Sequence, residues 1–174
     1  GLVKGDMVLI SDKEHNSNLV PWLLLRDKIG IEVKIIPSNV DGSFNLDNFE
    51  HIYLIGFGKA SSAAVEHIEQ ILEDRITGGI VMDKKVGECK YVKQYICTHP
   101  RPSVDNIKPS EELANLAKKL NEKDLAIVIV SGGGSSMICW PESECIQGIT
   151  LYDEFLKSGG DISELNTLRK HLSL

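Results

Sequence analysis

Six consecutive apolar residues, Leu125-Ala126-Ile127-Val128-Ile129-Val130, run directly into Ser131-Gly132-Gly133-Gly134-Ser135-Ser136. An apolar run without polar alternation marks a strand covered on both faces, and this one fits the centre of a parallel sheet. Shorter runs of the same kind recur along the chain at Met7–Ile10, Glu32–Ile36, His51–Ile55, Gly79–Met82 and Tyr95–Cys97. Helical periodicity fills the intervals: Asn18–Lys28 with Ser17 as its cap and Pro21 in its first turn, a helix after Lys59 with Ala60, Ala64, Ile68, Ile71 and Leu72 on one face, and Glu111–Leu120. A short helical turn is expected at Leu46–Glu50, and two helices, Thr150–Lys157 and Ile162–Leu172, close the chain, the second capped by Asp161 with Glu164 three residues on. Strand–helix alternation of this kind predicts a three-layer α/β/α fold on a mainly parallel, doubly wound sheet.

The bulk properties narrow the function. With 174 residues, 42% hydrophobic and 25% charged, the chain is long enough for one sizeable core. A net charge of −6 and the lack of any basic block argue against a nucleic-acid partner. No apolar run is long enough to span a bilayer and no signal-peptide pattern opens the sequence, so neither a membrane partner nor export is expected, and the cytoplasm is the expected compartment. Cys89, Cys97, Cys139 and Cys145 form no C-x-x-C pair and read as reduced core thiols.

Ligands of doubly wound sheets bind beyond the carboxyl ends of the strands. Three unusual loops fall there. In Ser131–Ser136, the glycines allow close backbone approach, a following helix would offer N–H groups to an anion, and the serines add hydroxyls; the alternative is a tight structural turn. In Gly56-Phe57-Gly58-Lys59-Ala60, a lysine at a helix start opposes the helix dipole and so suits a phosphoryl ligand, or else is simply solvated. In Thr98-His99-Pro100-Arg101-Pro102-Ser103, two prolines would hold His99 and Arg101 in fixed directions, as a site loop or a structural turn.

Taken together, these loops resemble the glycerate 2-kinase family, whose members carry a MOFRL domain. Gly56–Ala60 resembles its Gly-x-Gly-Lys-Ala motif, Thr98–Pro102 its His-Pro-x-Pro loop, and Ser131–Ser136 its Ser-Gly-Gly-Gly-Ser-Ala loop with Ser136 in place of alanine. Leu156–Ile162, Glu164-Leu165-Asn166 and Arg169–Ser173 are similar to its most distinctive stretch. The resemblance covers residues 51–173 and implies ATP-dependent, magnesium-assisted phosphorylation of D-glycerate to 2-phosphoglycerate. It implies that Lys59 and Arg169 are catalytic, that Ser131, Gly132, Gly133, Gly134, Ser135 and Ser136 hold the cofactor's phosphates, and that His99, Arg101 and Asn166 face the substrate; it assigns no metal ligand.

Residues 5–50 resemble a different family, the class V aminotransferases of the cysteine desulfurase group, through Gly5–Ser11, Glu14–Trp22, Val33–Pro37 and Asp41–Asp47. That resemblance would place His15 over pyridoxal phosphate. The lysine segment such a cofactor requires is not found, so no working pyridoxal phosphate site is expected. The sequence thus reads as a chimera, a βαβ segment over 1–50 joined to a truncated kinase-like α/β domain over 51–174, folding as one joint unit on what could be a continuous sheet. It is expected to take a small anionic or phosphorylated ligand and to be incomplete as a kinase alone. The alternative is a folded module without catalysis that associates with itself as a homo-oligomer.

Overall fold

The computed structural model describes residues 2–172, the side chains of Ser17, Ile162, Lys170, His171 and Leu172 excepted. The chain divides into two compact units, Gly1–Asn48 and Phe49–Leu174. The described strands form two sheets rather than one continuous sheet.

In the first unit, β1 (Met7–Ser11), α1 (Asn16–Ile29) and β2 (Glu32–Ile36) make a βαβ unit, the strands parallel with Met7 opposite Glu32 and Ser11 opposite Ile36. The helix starts at Asn16, so Ser17 lies within its first turn rather than capping it, and Pro21 falls one turn deeper than expected. Ser11 and Asn18 instead share the Glu14 carboxylate, which accepts from both side chains. No helical turn forms at Leu46–Glu50. Asn45 Oδ1 accepts from the Asp47 amide at 2.8 Å, the local bond with which Asn diverts a chain from helix into turn.

The second unit runs β3 (His51–Phe57), α2 (Ser61–Leu72), β4 (Ile76–Asp83), β5 (Lys93–Ile96), α3 (Ile107–Ala117), β6 (Asp124–Val130), the single turn α4 (Gly134–Met137), α5 (Glu142–Ser158) and α6 (Ile162–Leu172). All four strands are parallel in the order β5-β4-β3-β6. Two apolar clusters cover the two sheet faces. Leu54, Val65, Ile76, Val81 and Val92, with Ile68, Leu72, Ile127 and Ile129, join the sheet to α2. Ile80, Met82, Cys97 and Met137, with Phe57, Leu113 and Leu116, join the other face to α3 and α4. The architecture is therefore the α/β/α, doubly wound, parallel arrangement the alternation implies.

Four further expectations change. β6 is an edge strand, not the centre; Val128 and Val130, on the face away from α2, are 53% and 65% exposed. A continuous apolar run reports the chemistry of a strand's two faces but not its rank in the sheet. The buried stripe of α2 is Ser61, Ser62, Val65, Ile68, Glu69 and Leu72, while Ile71, expected inward, is 77% exposed. Helix α5 starts eight residues before Thr150 because Pro141 is pre-set to open a helix and Glu142 and Glu144 suit its first turn. That early start brings Cys145 to a Cα separation of 4.7 Å from Cys139, and the two form a disulfide instead of remaining reduced. Among the described residues no helix is long and apolar enough to cross a membrane.

Candidate functional site

The sheet reverses its winding between β3 and β6: the chain leaves β3 towards β4 on one side, and β6 returns on the other. Their ends are level, with Phe57 paired to Val130, so loops 58–60 and 131–136 emerge side by side at the switch point. Backbone bonds stitch them together. The Lys59 amide donates to the Gly132 carbonyl at 3.0 Å, and the Ser131 amide to the Phe57 carbonyl at 3.1 Å. Ser131 Oγ accepts from the Ala60 amide at 3.1 Å and lies 3.0 Å from Ser61 Oγ. Gly58, at φ +123°, could carry no side chain, since a Cβ would strike the backbone of Ser131.

Two of the loop's three glycines are required by what lies against them. A Cβ on Gly133 (φ +93°) would lie 2.8 Å from the His99 ring and one on Gly134 would lie 2.7 Å from the Phe57 ring, whereas one on Gly132 would make only ordinary contact with Lys59 Cε at 3.7 Å. Gly133 and Gly134 thus let the His99 imidazole and the Phe57 ring lie against bare backbone. Among the described residues the amides of Gly132 and Gly133 donate to no protein acceptor.

His99 is held from two directions. Its Nδ1 lies 2.6 Å from Ser136 Oγ. The loop that carries it is tied down by Asn106, which is fully buried. Asn106 Oδ1 accepts from the Thr98 amide at 2.8 Å, and its Nδ2 donates to the Thr98 and Ser136 carbonyls at 3.2 and 3.0 Å. One amide side chain therefore staples the histidine loop to the end of the glycine loop. Burial first, and then the nearby charges of Lys59, Lys84 and Arg169, hold His99 below its ordinary value. The positive charges of Lys59, Lys84 and Arg169 therefore all act on the His99 ring. Arg169 reaches back from α6 and donates through Nη2 to the Ser135 carbonyl at 2.5 Å, half-buried over the loop.

Not every candidate joins this cluster. Arg101 makes a two-pronged ion pair with Asp153 of α5, Nε to Oδ1 at 2.6 Å and Nη2 to Oδ2 at 2.5 Å, which anchors its loop to that helix. Asn166 is exposed on α6. The hydroxyls of Ser131 and Ser136, expected as ligand donors, are both engaged within the protein, and Ser136 is buried. The helix behind the loop is a single turn, so its dipole adds little, and the attraction for an anion rests on side-chain cations and loop amides. A wider depression along α2, ringed by Glu66, Glu69, Glu73, Asp74 and Glu88, carries the opposite charge. The free thiols of Cys89 and Cys97, both pushed up to about 11 chiefly by burial, stay protonated at neutral pH.

Three contributors were absent from the sequence reading: Lys84, Asn106 and Asp83. The Asp83 carboxylate caps α2 by accepting from the Ser62 amide at 2.9 Å and also takes the Lys84 amide at 2.6 Å. Lys84 carried a usable signal, since it follows a strand, as Lys59 nearly does. Asn106 carried none, because an asparagine before a helix reads as a cap.

Fold and site together define a doubly wound α/β domain with a glycine-rich loop at its switch point. The chain belongs to the family described as Domain of unknown function (DUF4147), whose model matches residues 19–174. It is 33% identical over 135 residues to D-glycerate 2-kinase of Thermotoga maritima, covering 72% of this chain and 31% of that protein. The crystal structure of glycerate kinase from Thermotoga maritima superposes with a TM-score of 0.58 at 34% identity, over 72% of this chain and 32% of that one. This chain therefore spans about a third of the length of those relatives. A cysteine desulfurase of Escherichia coli is 34% identical over 68 residues, 39% of this chain and 16% of that protein. The family match begins at residue 19, well before residue 51, so it reaches into the segment that resembles the desulfurases.

Proposed function

We propose that this chain carries the phosphate-holding part of a glycerate 2-kinase-type phosphotransferase, which moves the terminal phosphoryl group of ATP to the 2-hydroxyl of D-glycerate. The observation that carries this reading is the glycine loop with Lys59 beside Gly132, His99 against Gly133 and Arg169 bonded to the Ser135 carbonyl, its Gly132 and Gly133 amides donating to no protein acceptor among the described residues. Phosphoryl transfer spreads negative charge over the equatorial oxygens, so positioned cations and amides supply most of what a protein contributes. In this reading Lys59 and Arg169 neutralise the transferred group, the backbone of Ser131–Ser136 holds phosphate oxygens, and His99 faces the glycerate. Arg101 acts through Asp153 to place the histidine loop, and Asn166 lies at the margin.

Magnesium belongs to the expected chemistry of such a reaction. Among the described residues no three His, Cys, Asp or Glu side chains gather closely enough to hold a metal ion, and Asp83 is spent on two backbone amides. These residues do not form a protein-held magnesium site.

Calorimetric titration of the chain with ADP and with inorganic phosphate tests the reading. Lys59→Ala is expected to weaken binding about tenfold or more, roughly 1.4 kcal/mol. No binding by the unaltered chain, or binding indifferent to Lys59→Ala, would overturn it. Glycerate-dependent consumption of ATP that disappears in Lys59→Ala would extend it to turnover.

The exposed Val128 and Val130 favour a second reading, a chimeric module without catalysis that associates with itself. The match of part of the chain to a cysteine desulfurase and the division of the chain between Asn48 and Phe49 support its chimeric aspect. A chain that stays monomeric at every concentration in light scattering would remove the self-association.

A further inference from the structure

We propose that Ser136 locks His99 in its Nδ1–H tautomer, so that Nε2 is the acceptor for a hydroxyl proton of the ligand and the site selects a hydroxy acid over its deoxy counterpart. The inference rests on the phosphotransferase reading for its ligand, but the tautomer stands on geometry alone. Ser136 Oγ lies 2.9 Å from the Gly133 carbonyl and 2.6 Å from His99 Nδ1. A hydroxyl has one proton, and a carbonyl can only accept, so the proton goes to Gly133 and Nδ1 must be the donor to Ser136. The ring's other nitrogen then carries a lone pair. Among the described residues Nε2 has no hydrogen-bond partner.

The same bonds exclude the other chemistry a serine beside a histidine suggests. Ser136 is buried, its proton is committed to Gly133, and Nδ1 is not a free base, so Ser136 is not a nucleophile. What remains is a neutral acceptor among three cations. An anion is drawn in by the positive charges of Lys59, Lys84 and Arg169, and a hydroxyl on that anion finds an acceptor in Nε2. In phosphoryl transfer from a nucleoside triphosphate, the substrate oxygen would form its bond to phosphorus as the bond to the leaving diphosphate oxygen breaks. The hydroxyl proton passes to Nε2, the electron pair leaves with the diphosphate, and the imidazolium later returns the proton to water.

Nitrogen-15 NMR of the full chain labelled at histidine reads the tautomer without any variant. Nε2 bare and Nδ1 protonated at His99 is the expected result, and Nε2 protonated overturns the proposal. Ser136→Ala, which restores the alanine of the loop that Ser131–Ser136 resembles and so is expected to keep the fold, should release the fixed tautomer; an unchanged ring assigns the lock elsewhere and overturns the role of Ser136. D-glycerate should shift Nε2 and bind about tenfold or more tighter than 3-hydroxypropionate, which lacks the 2-hydroxyl. Equal affinities overturn the acceptor role. Failure to bind either acid, with the tautomer as expected and phosphate still bound, rejects the hydroxy-acid ligand. Failure to bind phosphate as well marks the failure of the phosphotransferase reading instead.

Discussion

The two units of this chain both consist of parallel strands joined by helices, yet they bury very different cores. In Gly1–Asn48 a two-stranded sheet and one helix leave only Ile10 and Ile31 buried among the apolar side chains described. In Phe49–Leu174 four strands carry helices on both faces and enclose two apolar clusters. The difference teaches that a βαβ pattern sets local geometry, while stability follows from how many strands share a covered face. It also explains why the candidate site lies in the larger unit: side chains can be aimed only from elements that are themselves held.

The comparison can be broken most directly in the core. Leu54→Ala is expected to destabilise the second unit by about 2–5 kcal/mol in urea denaturation, and Ile10→Ala to fall at or below the low end of that range, because a thin core can collapse around the gap. Equal costs would remove the distinction. Removing a buried polar anchor is expected to cost somewhat less. Glu69 is buried and accepts from the amides of Lys90, Tyr91 and Val92, so Glu69→Ala should cost about 1–3 kcal/mol and loosen the strand β5 that follows. Asn106→Ala is expected to cost a similar or smaller amount while weakening phosphate binding, since it frees both the histidine and the glycine loop. Hydrogen exchange then sharpens the contrast: amides of β1 and β2 should exchange faster than those of β3 and β4.

The smallest effect is on pH. His99 is held below its ordinary value near 6.5, so the unfolded chain takes up a proton more readily than the folded one. Its contribution to stability is therefore complete above that value and declines as the pH falls through and below it. His99→Gln should flatten that part of the stability profile, and an unchanged profile would show that His99 is not held below its ordinary value.

Much of the site was legible in the residues. Glycines at strand ends and a lysine at a helix start announce themselves locally, so the two loops and Lys59 could be named without coordinates. The pairing of Arg101 with Asp153 could not be read from the sequence, because Asp153 lies on a helix fifty-two residues away. The disulfide between Cys139 and Cys145 depended on where α5 begins, a boundary that Pro141 sets but apolar periodicity conceals. The inward face of α2 was displaced because Ser61, Ser62 and Glu69 are buried by hydrogen bonding, which hydrophobicity does not report.

The sequence by itself determined that the chain alternates strand and helix and that a glycine loop stands at the end of an apolar strand, since both follow from local backbone preferences and side-chain chemistry. Only the tertiary structure decided that this strand is an edge, that the loop lies beside Lys59 at the switch point, and that Ser131 and Ser136 bond inward. Strand order and hydrogen-bond partners join residues far apart in sequence, and no local pattern encodes which distant partner a side chain will meet.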